Sequence, residues 1–262
     1  MSHKGLLIDV TTCLGPSCGK CVVACKRENN LPDGIEEKLS FRSYTVLQKR
    51  DGQFVRRLCM HCEHPSCVAV CPVGALSKRE TGAVVYDAGK CMGCRYCMVA
   101  CPFEVPTFEW NEWNPRIRKC ILCADRIEKG LVTACAEACP TEATLFGDRQ
   151  TLIAIAESRI RKNAEKYQPR MFGLFEAGGT SVFYLSAVPF DILGFPKRIT
   201  EEAPPELPWH ILQQVPTVVL MGAFILGGSY WLYRRREEVA RIEAQMKDEK
   251  GHAGTEGDSN HV

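Results

Sequence analysis

"CMGCRYCMVACP", Cys91 to Pro102, sets four cysteines at the spacing C-x2-C-x2-C-x3-C and closes with proline. "CMHCEHPSCVAVCP", Cys59 to Pro72, repeats the run with two residues added in the second gap. Two looser versions flank them: Cys13, Cys18, Cys21 and Cys25, and Cys120, Cys123, Cys135 and Cys139 with Pro140. The four groups use all sixteen cysteines of the 262-residue chain, so the count reads as four sets of ligands rather than as scattered buried thiols.

A [4Fe-4S] cube takes four thiolates, and this spacing gives three to one cube while the fourth reaches another. The two-residue gaps wrap the backbone round the cube, Gly93 beside Cys94 admits a close approach, and the proline turns the chain away. Ligand swapping requires motifs in couples. Motifs two and three are near neighbours, which assigns Cys59, Cys62, Cys67 and Cys101 to one cluster and Cys91, Cys94, Cys97 and Cys71 to another. Motifs one and four then couple as Cys13, Cys18, Cys21 with Cys139, and Cys120, Cys123, Cys135 with Cys25. Zinc sites also use C-x2-C pairs, but they join two pairs over a longer loop and have no use for a third cysteine two residues on. Disulfides suit small secreted scaffolds, and triplets at this spacing would make strained, redundant pairings.

Other residues carry weaker signals. His61 and His64 lie inside motif two and read as loop histidines beside a wrapped cofactor or facing solvent; Arg118 and Lys119 read as a basic turn that raises a nearby potential or is merely solvated. His210 reads as an interfacial histidine. Thirty-three basic against thirty-one acidic residues give a net charge of +2, which leaves no nucleic-acid footprint. No phosphate loop, dinucleotide fingerprint or H-E-x-x-H motif occurs, so no catalytic residue is assigned and the chain reads as a conductor between partners.

Along the chain, residues 1–147 form the expected four-cluster domain, interrupted by a β-hairpin, "FRSYTVLQKR" and "QFVRRL" around Asp51-Gly52. "ETGAVVYD" is strand-like. Residues 148–210 read as a helix, Gln150 to Tyr167 with Leu152, Ile155, Ala156 and Ile160 at helical spacing, and then an ordered connector rather than a core element. Val215 to Tyr233 is a nineteen-residue stretch without a charge, nearly the length of a bilayer core at about 1.5 Å per residue. With Trp209 at one end and Tyr230, Trp231 and Tyr233 at the other, residues 211–235 read as a transmembrane anchor, and 236–262 as a charged tail with a disordered end. The fold class is α+β: tandem ferredoxin-like 2[4Fe-4S] modules with a hairpin insertion and one C-terminal transmembrane helix.

"RLCMHCEHPSCVAVCPVGAL", "GKCMGCRYCMVACPFEVP", "RKCILCADRIEKGLVTACAEACPTEA" and the connector "AGGTSVFYLSAVPFDILGFP" before a single helix resemble the iron-sulfur (beta) subunit of membrane-bound formate dehydrogenase and of quinone-linked nickel-iron hydrogenase. The resemblance is strong over residues 5–147 and weaker over 170–233. It implies the same ligand pairing, four [4Fe-4S] clusters, and a relay between a catalytic oxidoreductase subunit and an integral membrane cytochrome b or quinone-reactive subunit. A relay from quinol to a terminal molybdopterin reductase is the alternative direction, and a zinc-stapled docking scaffold is the alternative of another class. The chain departs from the family at Cys13-x4-Cys18, where two residues are usual, and at Lys26, where the other motifs have proline.

Acidic Glu201, Glu202 and Glu206 precede the apolar stretch and Arg234, Arg235 and Arg236 follow it, so the positive-inside rule puts the C-terminus in the cytoplasm and the cluster domain in the periplasm of a single-pass inner-membrane protein. The N-terminal "MSHKGLLIDVTT" has no signal-peptide core and no twin arginine, so export is expected to rely on a partner's signal.

Overall fold

A computed structural model describes residues 3–253 apart from 111, 112, 114 and 198. The chain divides into two units, Met1–Leu207 and Pro208–Val262. In chain order the first unit begins with β1 (Lys4–Asp9), α1 (Lys20–Glu28) and the hairpin β2 (Val46–Arg50) and β3 (Gln53–Arg57). There follow α2 (Ser66–Ala69), β4 (Leu76–Lys78), β5 (Val84–Tyr86), α3 (Tyr96–Ala100), β6 (Thr107–Phe108) and β7 (Ile117–Arg118). It ends with α4 (Ala124–Glu128), α5 (Ala134–Glu137), β8 (Thr144–Asp148), α6 (Arg149–Lys162) and β9 (Val182–Leu185).

The hairpin turns where the sequence asks for it: Asp51 and Gly52 both take positive φ, 46° and 74°, and Val46 faces Arg57 across the ladder. Two further antiparallel pairs, β4 with β5 and β6 with β7, brace the middle of the chain. The expected helix over Gln150 to Tyr167 is α6, which stops five residues earlier at Lys162.

The principal sheet is ordered β8-β1-β9. β8 runs antiparallel to β1, with Lys4 opposite Asp148, and β9 runs parallel to it, with Leu6 opposite Val182. Leu6 and Leu7 point to opposite faces and both are fully buried, so both sides of β1 are covered. Leu152 and Ala156 of α6 close one face over Leu7, Phe183 and Leu185. Burying each such large side chain contributes about 1.5–3 kcal/mol.

β9 corrects the reading of Leu174 to Pro196 as a connector. All four of its residues are buried in the sheet; Phe172 and Phe195 pack on its Tyr184 with their centroids 4.4 Å apart, and Phe190 packs against both. Because the strand is buried on both faces it lacks the alternation that marks a half-exposed strand, and glycine and proline on either side conceal it. The compact unit therefore takes in both 1–147 and the segment that follows.

From the unit boundary α7 (Leu207–Leu212) leads to α8 (Val215–Ala253) in the second unit, a helix of thirty-nine residues long and apolar enough to cross a membrane. Its apolar side chains, among them Val218, Phe224, Ile225 and Trp231, are exposed. The helix continues beyond Arg236, where the sequence reading starts a tail with a disordered end, because "EEVARIEAQMKDEK" is rich in strong helix formers and Arg235 pairs with Glu238 at 2.9 Å. Residues 254–262 lie outside the described part.

Candidate functional site

The four cysteine motifs share one backbone plan. Two residues after the first cysteine the chain is left-handed every time: Gly15 (φ 71°), His61 (φ 47°), Gly93 (φ 74°) and Leu122 (φ 57°). A left-handed residue here turns successive N–H groups toward one concave side, the form that receives anions; Leu122 N–H donates to Cys120 Sγ at 3.4 Å. The third cysteine is in each case the second residue of a helix: Cys21 in α1, Cys67 in α2, Cys97 in α3 and Cys135 in α5. Free N–H groups of that first turn favour negative charge beside the sulfur.

After the fourth cysteine, three motifs turn alike. Proline follows, and the residue after next is left-handed and donates its N–H to the cysteine carbonyl: Gly74 to Cys71, Glu104 to Cys101 and Glu142 to Cys139, at 3.3, 3.2 and 3.4 Å. Ala75 N–H donates to Cys71 Sγ at 3.2 Å. Motif one departs, as Lys26 foretells: α1 runs through Cys25 to Glu28, and the buried Lys26 Nζ donates to the Pro32 carbonyl.

All sixteen cysteines are described and each is a free thiol. Cys13, Cys18, Cys21 and Cys139 line one cavity, Cys25, Cys120, Cys123 and Cys135 a second, and Cys71, Cys91, Cys94 and Cys97 a third, all with largely apolar walls. The remaining four meet around Cys62, whose thiol is pushed well up by burial and further by Cys59, Cys101 and Cys67. Burial likewise pushes Cys25 and Cys67 up to about 12, and Cys97 and Cys123 to about 11. Thiols so placed stay protonated unless a cationic centre claims the sulfur, and the donor chemistry of each set, four sulfurs with N–H groups turned on them, fits an iron-sulfur cube.

Against known proteins, residues 50–149 match the 4Fe-4S dicluster domain family. A protein of Nitratidesulfovibrio vulgaris is 39% identical over 260 residues, covering 91% of this chain and 69% of its own length. The hydrogenase-2 operon protein HybA of Escherichia coli O157:H7 is 34% identical over 274 aligned residues, 85% of this chain and 83% of that one. The chain belongs to the iron-sulfur subunits of the formate dehydrogenase and hydrogenase type. The nitrate-inducible formate dehydrogenase iron-sulfur subunit of Escherichia coli K12 is 36% identical over 199 residues, 68% of this chain and 66% of that one. Members of this family carry electrons through 4Fe-4S centres, and the long apolar helix of this iron-sulfur subunit is a candidate membrane anchor.

The iron-sulfur subunit holds charged groups that the sequence reading ranked low or missed. Arg56, an unremarked residue of the hairpin arm, is buried and lines both the first and the second cavity. Although burial opposes its charge, Cys135, Cys21 and Cys25 hold its pKa above the usual value. Lys119 is no solvated turn: it is buried, and Nζ donates to the carbonyls of Val84 and Cys120. Arg118 pairs with Glu109. His61 is fully buried and accepts the Val84 N–H at Nδ1, 2.9 Å away, while burial, Lys119 and Lys78 drive its pKa well down; it is neutral with the proton on Nε2. His64 is exposed beside Glu206.

Proposed function

We propose that this chain relays electrons through four [4Fe-4S] clusters between a catalytic subunit that oxidises formate or hydrogen and an integral membrane cytochrome b or quinone-reactive subunit. Each cluster, when bound, supplies a one-electron centre. The ligand sets we propose are Cys13/Cys18/Cys21/Cys139, Cys25/Cys120/Cys123/Cys135, Cys59/Cys62/Cys67/Cys101 and Cys71/Cys91/Cys94/Cys97.

The observation that carries the reading is that these sets adjoin in a single series. Arg56 lines the cavities of both the first and the second set, Cys120 and Cys135 of the second pack in one core cluster with Cys59, Cys62 and Cys101 of the third, and Cys67 of the third packs in another with Cys71, Cys91 and Cys97 of the fourth. A row with two ends suits passage between two partners. Apolar side chains stand exposed at both ends: Leu14 by the first set, and Met92, Tyr96 and Val99 by the fourth. Surfaces of this kind suit docking. Arg234 to Arg236 after the apolar span support a cytoplasmic C-terminus and a periplasmic cluster unit.

A second direction, from quinol to a terminal reductase, draws support from the similarity to a selenate reductase subunit of Mesobacillus selenatarsenatis, 34% identical over 69% of this chain. Anaerobic purification of the tagged chain from its own membranes tests both. A copurifying catalytic subunit that reduces the clusters with formate or hydrogen supports the proposal. Oxidation of dithionite-reduced clusters by a terminal acceptor, without reduction by either donor, establishes the reverse direction.

A further inference from the structure

Arg56 stands in the wall common to two cysteine cavities, facing Cys13, Cys21 and Cys139 on one side and Cys25, Cys120 and Cys135 on the other. It is 2% exposed. Its guanidinium is fixed from the protein side by hydroxyls: Nε donates to Thr45 Oγ1 at 2.9 Å and Nη1 to Thr144 Oγ1 at 3.1 Å. Its own carbonyl accepts from Tyr184 Oη at 2.7 Å, which pins the backbone to β9. Among the described residues no carboxylate forms an ion pair with it.

A guanidinium cannot shed its proton in a protein, and burying one without a counter-charge is strongly unfavourable. Hydroxyls orient the group but do not neutralise it. Anionic charge in the two flanking cavities does, and the planar fork can address both. A cube held by four thiolates is anionic and gains one more negative charge when reduced, so a fixed cation beside it favours the reduced state. As one electron passes, one centre is oxidised and its neighbour reduced, with no proton or ligand transferred.

We propose that Arg56 is a positioning residue shared by two adjoining clusters, a permanent cation raising the reduction potentials of the Cys13/Cys18/Cys21/Cys139 and Cys25/Cys120/Cys123/Cys135 centres together and those of the two more distant centres far less. This rests on the cluster assignment above. Nothing in the cysteine spacing points to it, because Arg56 belongs to the inserted hairpin.

The test is a redox titration followed by paramagnetic resonance on the full membrane complex carrying R56Q or R56K, with iron counted in the same samples. In R56Q, two of the four centres should show an equilibrium constant for reduction lower by about tenfold or more, which is about 59 mV for one electron. R56K, which keeps the charge, should leave all four near their wild-type values. Four unshifted centres in R56Q, or an equal shift of all four, overturns the proposal. If R56Q assembles with only half its iron, R56K decides: two retained centres at wild-type potentials support the charge, whereas lost or shifted centres in R56K assign Arg56 a merely structural part and overturn the proposal. Wild-type complex without iron-sulfur signals would instead refute the cluster assignment itself.

Discussion

Asn29 places Nδ2 3.7 Å from Cys25 Sγ while donating to the Cys25 carbonyl at 2.8 Å. One side chain thus does at motif one what a proline turn and its N–H groups do after Cys71 and Cys101, where backbone N–H groups reach back to the sulfur. The departure at Lys26 keeps the helix going, and Asn29, the residue that caps its end, supplies a replacement donor.

Asn29→Leu keeps the branching and the number of heavy atoms and removes the donor. Hydrogen bonds to sulfur stabilise the more negative, reduced centre, so the cluster that Cys25 joins should become harder to reduce by roughly 0.5–1 kcal/mol, a twofold to fivefold fall in its reduction constant. A resonance-monitored titration of the complex measures it, and an unmoved potential contradicts it.

Gly173 has φ 99°, and a Cβ there would overlap the Val182 carbonyl oxygen and lie 2.7 Å from Thr180 Oγ1. Gly173→Ala should destabilise the cluster-bearing unit by about 3 kcal/mol, a fall of about 6–12 °C in its melting temperature. Calorimetry of the complex reads this directly. No change would mean that the segment around β9 is as peripheral as its sequence suggests.

Iron removal exposes the thiols to their own surroundings. Burial raises Cys71, but the N–H groups of Leu76, Ala75, Val73 and Gly74 outweigh it and bring its pKa below 9.0. Cys25 and Cys67, held up by burial to about 12, carry far less thiolate at about pH 8. Since the thiolate is the nucleophile, iodoacetamide should label Cys71 ahead of Cys25 and Cys67 in freshly chelated protein, by more than about tenfold. Peptide mass spectrometry gives the order, and uniform labelling contradicts it.

Ile225 lies near the middle of the uncharged stretch of α8. Ile225→Arg should cost insertion about 2.5–3.5 kcal/mol and move much of the chain from carbonate-washed membranes into the supernatant. A chain ending at Leu207 should appear wholly in the soluble fraction. Full retention of both would show that α8 is not what holds the chain to the membrane.

Much of this was legible in spacing. Cys91 to Pro102 announces its wrap, Asp51-Gly52 announces the hairpin turn, and three of the four cysteine sets proposed from swapping line a common cavity each. β9 was not legible, because Val182 to Leu185 is buried on both faces and so carries no period. Arg56 and Lys119 were not either: a basic residue in a hairpin or beside a cysteine has the same letters whether it faces water or an anionic cavity. Only the fold, which lays β3 between the first and second cavities, distinguishes Arg56 from its neighbour Arg57, which stacks on Phe195 at 4.6 Å.

The central claim is that these sixteen thiols hold cubes. Counting metal and acid-labile sulfide per chain in anaerobically purified complex, alongside paramagnetic resonance after dithionite, tests it most directly. Once the centres contributed by partner subunits are subtracted, the account predicts about sixteen irons and sixteen sulfides with interacting reduced-cluster signals. Zinc in place of iron, or far less iron with no signal on reduction, would contradict it.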